Sequence, residues 1–120
     1  HFYNDRQVEV IDRFTGKVQP WMFQARQRGV LFDMGHGAGS FLWPVASKAM
    51  EQGFPPDTIS TDIHHFNLRG PVFDLPTTMS KFLFLGMPLE QVIRAATAVP
   101  AKVRNMATPI TRPITMPIWP

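Results

Sequence analysis

The apolar positions of this chain fall into short blocks punctuated by glycine and proline, and their period changes along the sequence. Pro20 suits a first helical position, where its missing N–H has no intrahelical partner. Residues 21–28 then predict a short helix, stopped by Gly29. Trp21, Met22 and Ala25 form its expected buried stripe, and Arg26 and Arg28 suit the dipole of its last turn. Val30-Leu31-Phe32-Asp33-Met34 is an apolar run of the kind found in strands buried on both faces of a parallel sheet. Gly35-His36-Gly37-Ala38-Gly39-Ser40 follows as a glycine-rich turn. Ser40 is the expected N-cap of a helix over 41–52, ended by Gly53.

The stretch Asp57-Thr58-Ile59-Ser60-Thr61-Asp62-Ile63-His64 is β-branched and bounded by turn residues, which predicts a strand. Alternation puts Thr58, Ser60, Asp62 and His64 on one face and the isoleucines on the other. A carboxylate and an imidazole would then stand near the C-terminal end of a strand, where α/β sheets and barrels bind ligands. The same residues also suit a turn cap and a solvated histidine. His65, on the opposite side, reads as solvated.

Helix, strand, helix, strand with short links predicts a parallel sheet. Residues 71–76 read as an irregular loop, with Thr77 or Thr78 capping a helix over 79–85 that Gly86 stops. Leu89, Val92, Ile93 and Ala96 then give the i, i+3, i+4, i+7 stripe of a packed helix. From Pro100 the character changes. Pro109, Pro113 and Pro117 recur every fourth residue, which suits an extended appendage rather than helix or central strand. The expected organisation is one folded unit over 1–99 and a proline-rich tail over 100–120.

Composition excludes more than it assigns. Hydrophobic residues at 44% and charged residues at 18% are ordinary for a globular domain. The net charge of +3 comes from scattered lysines and arginines, so nucleic acid is not expected as a partner. No apolar run approaches the roughly 20 residues that span a bilayer, so no membrane partner is expected. With no signal peptide visible, a cytoplasmic setting is the expectation. The absence of cysteine removes disulfides and thiolate metal sites.

Several of these segments together resemble one family. They are Phe32-Asp33-Met34-Gly35-His36-Gly37, Gly39-Ser40-Phe41, residues 56–64, Asp74-Leu75-Pro76-Thr77 and Met79-Ser80-Lys81. In this order and spacing they resemble the dihydroorotase-like deacetylase branch of the amidohydrolase superfamily, from His1 to about Ala101. The resemblance implies an α/β fold, the C-terminal portion of a (β/α)8 TIM barrel. It implies one or two divalent ions, usually zinc, and hydrolysis of amide or acetyl-ester bonds in a small-molecule substrate. It leaves room for a homo-oligomer.

In that family an aspartate ends strand eight, and Asp62 matches it, as metal ligand and as catalytic base. His1 matches the metal-binding histidine that ends strand six. His36 and Gly37 fall in the loop after strand seven, on the substrate side, and His64 follows the aspartate as a substrate contact. The family's strand-one histidine pair, bridging ligand and strand-five histidine have no counterpart in these 120 residues. A barrel of this kind takes about 250 residues. The expectation is therefore about two of the eight strands, a piece of a metal-dependent hydrolase without activity of its own. A non-catalytic α/β module holding an anion at the glycine turn and a helix N-terminus is the alternative from a different class.

Overall fold

The computed structural model describes Tyr3 and residues 10–107. Its elements are α1 (Pro20–Gln27), β1 (Asp33–Gly35), α2 (Trp43–Glu51), β2 (Thr58–Ser60), α3 (Leu75–Phe84), α4 (Leu89–Ala96) and α5 (Ala98–Ala107). β1, α2 and β2 form a β–α–β unit. The two strands pair in parallel, Asp33 with Thr58, Met34 with Ile59 and Gly35 with Ser60. α3 and α4 pack on β2 and on each other, and α5 packs on α4.

Met34 and Ile59 point into one core, with Met22 of α1, Ala46 and Ala49 of α2, Phe82 of α3, and Val92 and Ala95 of α4. Two aromatic groups organise it. Tyr3 is buried, stacks on Phe82 with centroids 6.2 Å apart, and donates its hydroxyl to the Phe54 carbonyl at 2.9 Å. Burial pushes its phenol pKa up. Phe54 meets Phe23 and Phe32 edge-on, and the Arg26 guanidinium lies 3.9 Å from its ring centre. Arg26 also donates to the Pro55 carbonyl at 2.6 Å and to Asp57 at 3.2 Å. Its packing against Phe54 is part of the core.

Several sequence expectations are corrected by local competition. Trp21 is 48% exposed, because α1 buries Met22 and Ala25 and turns its next position, Arg26, toward Phe54. The strand expected over 30–34 starts only at Asp33. The Phe32 amide is taken by the Asp57 carboxylate at 2.8 Å, and Val30 and Leu31 stay exposed. α2 begins at Trp43 with Leu42 as N-cap, so Ser40 caps nothing. α3 begins four residues early, because Asp74 accepts the Thr77 amide at 2.7 Å and takes the cap expected of Thr77 or Thr78. In α4 the buried positions are Val92 and Ala95, with Leu89 and Ile93 exposed. α5 is helical from Ala98 through Ala107. Pro100 sits in its first turn, where a missing N–H forfeits no helical bond, so the irregular segment does not start at Pro100. The repeats over 108–120 lie outside the described residues. No helix among the described residues is long and apolar enough to cross a membrane.

Phe54 joins the aromatic cluster to the Arg26–Asp57 pair, so its truncation should act as a core deletion. Phe54→Ala is expected to cost about 3–5 kcal/mol, read as a lower urea midpoint. A loss below about 1 kcal/mol would show that the ring contributes little to the core.

Candidate functional site

The C-terminal ends of β1 and β2 lie side by side, and their pairing continues past both strands. The His36 amide donates to the Ser60 carbonyl at 3.1 Å, and the Gly37 amide to the Thr61 carbonyl at 3.0 Å. The loop after β1 is thereby fastened to the loop after β2. At Asp62 the chain leaves the extended conformation, with φ +47°. This left-handed turn ends the alternation expected over 57–64. Thr58 and Ser60 donate their hydroxyls to Asp33 at 2.6 and 2.9 Å, while Asp62 and His64 belong to the loop beyond.

Asp62 is exposed and stands against Gly37. Gly37 has φ +53°, and a Cβ built on it would lie 2.8 Å from Asp62 Oδ2. The left-handed backbone favours glycine here, and its missing side chain lets the carboxylate stand where it does. The other side of Asp62 is held by Asn67, which is buried. Its Nδ2 donates to the Asp62 carbonyl at 2.9 Å, and its Oδ1 accepts the His64 amide at 2.8 Å. His64 is exposed and accepts the Phe66 amide on Nδ1 at 3.3 Å. The His65 ring lies 3.7 Å from that of Phe66, centre to centre.

Among the described residues His36 is enclosed. It is 2% exposed and stacks on Phe41, with ring centres 4.7 Å apart. Nδ1 lies 2.7 Å from the Gly37 carbonyl, and Nε2 lies 2.6 Å from Lys81 Nζ. A neutral ring with its proton on Nδ1 satisfies both, donating to the carbonyl and accepting from the ammonium. Lys81 also donates to the Pro71 carbonyl at 2.7 Å. One lysine of α3 thus ties the loop after β1 to the loop after β2. Burial lowers the Lys81 pKa.

Lys81 and Asn67 were not singled out from the sequence. Lys81 stands in the Met79-Ser80-Lys81 motif, to which the sequence attaches no role. The signal for Asn67 was its place five residues after Asp62 and three before Gly70, an amide able to bond its own loop. His1 lies outside the described residues. Among the described residues no three His, Cys, Asp or Glu side chains come together to hold a metal ion. Asp62 supplies one oxygen donor of a suitable kind, whereas a catalytic zinc site takes three protein ligands. The described residues therefore do not make a metal site. A cleft of about 400 Å³ between the sheet and α5 is lined by Leu31, Asp33, Ile59, Pro100 and Val103 among others, and not by Asp62 or His64. The glycine turn leads into two further residues before α2, so it does not present a helix N-terminus directly.

His36 makes a pH test available. Burial pushes its pKa below the ordinary value, the Gly37 carbonyl pulls it back up, and the Lys81 charge lowers it further. An unfolded chain therefore takes up this proton at a higher pH than the folded one. The contribution of His36 to stability is complete above about pH 6.5 and is lost as pH falls toward the lower folded value. His36→Gln should flatten this part of the stability curve between about pH 7 and pH 5. Equal slopes for the two proteins, measured by urea unfolding, would contradict the buried neutral ring.

No family model matches the chain. It is 39% identical over 103 residues to a deacetylase of Enterococcus faecalis, an alignment covering 85% of this chain and 28% of that protein. It is 51% identical over 79 residues to a deacetylase of Brucella anthropi, covering 66% of this chain and 20% of that protein. Among solved structures it superposes on an adenine deaminase with a TM-score of 0.81 at 36% identity, covering 88% of this chain and 29% of that one. It superposes on a dihydroorotase with a TM-score of 0.64 at 44% identity, covering 71% and 24%. The chain thus spans less than a third of the length of each of these proteins. The β–α–β unit with its helices corresponds to part of a barrel of this kind. On both sequence and fold, the chain resembles part of an amidohydrolase-superfamily protein of the dihydroorotase-like deacetylase branch.

Proposed function

We propose that these residues form the catalytic end of strands seven and eight in a metal-dependent hydrolase that cleaves amide or acetyl-ester bonds of small molecules. One observation carries this reading. The Asp62 carboxylate stands exposed at the C-terminal end of β2, in a left-handed turn against Gly37 at the end of β1. That end of the strands is where α/β barrels carry out chemistry. Relatives named deacetylases, and matching folds named adenine deaminase and dihydroorotase, support hydrolysis as the reaction class.

Of the metal ligands, this chain would contribute Asp62 and, by its position in the resemblance, His1. The remaining ligands would lie in other parts of the barrel. A divalent ion, when bound, lowers the pKa of its water from 15.7 to about 7. Asp62 would accept a proton from the attacking water and return it to the leaving nitrogen or oxygen. Such general acid–base help is worth about 10²–10⁴ in rate. Gly37 leaves the carboxylate room on one side. His64, exposed on the loop that starts at Asp62, would touch substrate. His36 works from beneath, holding Lys81 and the two loops in register.

Asp62→Asn in the intact enzyme keeps the shape but removes the proton acceptor. It should lower kcat at least about 10²-fold, with metal content and melting temperature retained. Near-normal kcat with metal bound would remove Asp62 as the base. Gly37→Ala should also lower kcat, since the new methyl collides with the carboxylate and the backbone is strained by about 1–3 kcal/mol. The 120-residue chain by itself is expected to show no metal-dependent deacetylation, and measurable turnover would contradict the shared-site reading.

A further inference from the structure

Asp62 occupies a backbone conformation that non-glycine residues rarely adopt. A strained residue of this kind persists only where its surroundings over-determine it. Between Asp62 and Gly70 no large apolar side chain is buried, and Val72 near the end of the loop is the first that is. Phe66 is 79% exposed, Leu68 55% and Phe73 51%. Asn67 is fully buried, with both ends of its amide spent on loop backbone. Nδ2 fixes the carbonyl of Asp62, and Oδ1 fixes the amide of His64. Its own main chain accepts from Gly70 at 3.1 Å and from Phe73 at 3.5 Å, and its amide donates to the His64 carbonyl at 3.0 Å. From the opposite side, the Gly37 amide holds the Thr61 carbonyl at 3.0 Å. The peptides on both flanks of Asp62 are therefore pinned, one by β1's loop and one by Asn67.

We infer that Asn67 is a positioning residue for catalysis, whose side-chain amide clamps the left-handed turn that aims the Asp62 carboxylate. This rests on the reading of Asp62 as the base. Asn67 touches no reacting atom, and its effect passes through the Asp62 backbone. Loss of the clamp lets the carboxylate wander, and a displacement on the order of 1 Å can cost about 10²-fold in rate. Loss of mere packing would not single out kcat.

The test uses the intact enzyme carrying these residues, with Asn67→Ala, Asn67→Asp, Asp62→Asn and Thr78→Ala compared. Asn67→Asp has nearly the shape of asparagine and still accepts the His64 amide. It cannot donate to the Asp62 carbonyl and sets a carboxylate against it. A clamp predicts that both Asn67 variants lose at least about tenfold in kcat with KM changed by less than about threefold. A packing role predicts that the isosteric Asn67→Asp restores activity. Thr78 is also buried and bonds only the Asp74 carbonyl, at 3.0 Å, so Thr78→Ala measures what general destabilisation does to kcat. In the same Asn67→Ala protein, amide hydrogen exchange at His64 should speed up while that of Thr78 stays slow. If Asn67→Ala does not fold, Asn67→Asp decides alone. The inference is overturned if Asn67→Asp keeps kcat within about threefold of the parent, or if Thr78→Ala loses as much. If Asp62→Asn itself retains kcat, the base assignment fails and the inference falls with it. If Asp62→Asn is inactive while Asn67→Asp is active, only the clamp is wrong.

Discussion

Two backbone hydrogen bonds at and just beyond the C-terminal ends of the strands, His36 to Ser60 and Gly37 to Thr61, are what the site depends on. The strands themselves are three residues each. Without the extra pairing the two loops would leave the sheet as independent excursions. With it, Gly37 is brought against the carboxylate of Asp62, 25 residues further along the chain. The register behind this is set by the core, because Met34 and Ile59 are opposite each other and both buried. A slip of one residue would turn these side chains out of the core. Packing at the centre of the sheet therefore fixes geometry at its rim.

The parallel β–α–β unit was legible because each of its signals is local: an apolar run, a glycine turn, a helix with an apolar side and a β-branched stretch. The position of Asp62 near the end of a strand was legible for the same reason, and so was the family, since ordered motifs survive without any knowledge of contacts. What the pattern could not show is where a local preference loses to a distant partner. Period two runs unbroken through Thr61, Asp62 and Ile63 in the sequence, yet the strand stops at Ser60. Asn67, several residues later, holds the turn that stops it. Phe32 reads as strand but gives its amide to Asp57. Ser40 reads as a cap, but the two residues after the glycine turn stay outside the helix.

His36 shows the limit most clearly. A histidine in a glycine turn invites a ligand-binding role, since nothing about the turn requires an imidazole. The ring is instead enclosed between Phe41 and the Lys81 ammonium. Its partner is 45 positions away, on a helix whose sequence announces only its apolar side. An imidazole suits this place because it offers a donor and an acceptor on opposite sides of a flat ring that can stack. Glutamine could supply both polar groups but not the stack, and phenylalanine the stack but neither polar group.

The loop from Asp62 to Phe73 is held by polar anchors, with Val72 buried near its end, and this bears on how such a site can work. Asn67 fixes its first turn, and Lys81 fixes the Pro71 carbonyl near its end. Between these anchors His64, His65, Phe66 and Leu68 are exposed. A loop packed on the core would have its shape fixed by close packing and could not vary its surface without disturbing that core. A stretch pinned by polar side chains can present different residues to different substrates while the carboxylate at its base stays in place. Binding loops are drawn from the less stable parts of a fold. Here the same segment combines an exposed, adaptable middle with a rigid start, and the rigid start is where Asp62 stands.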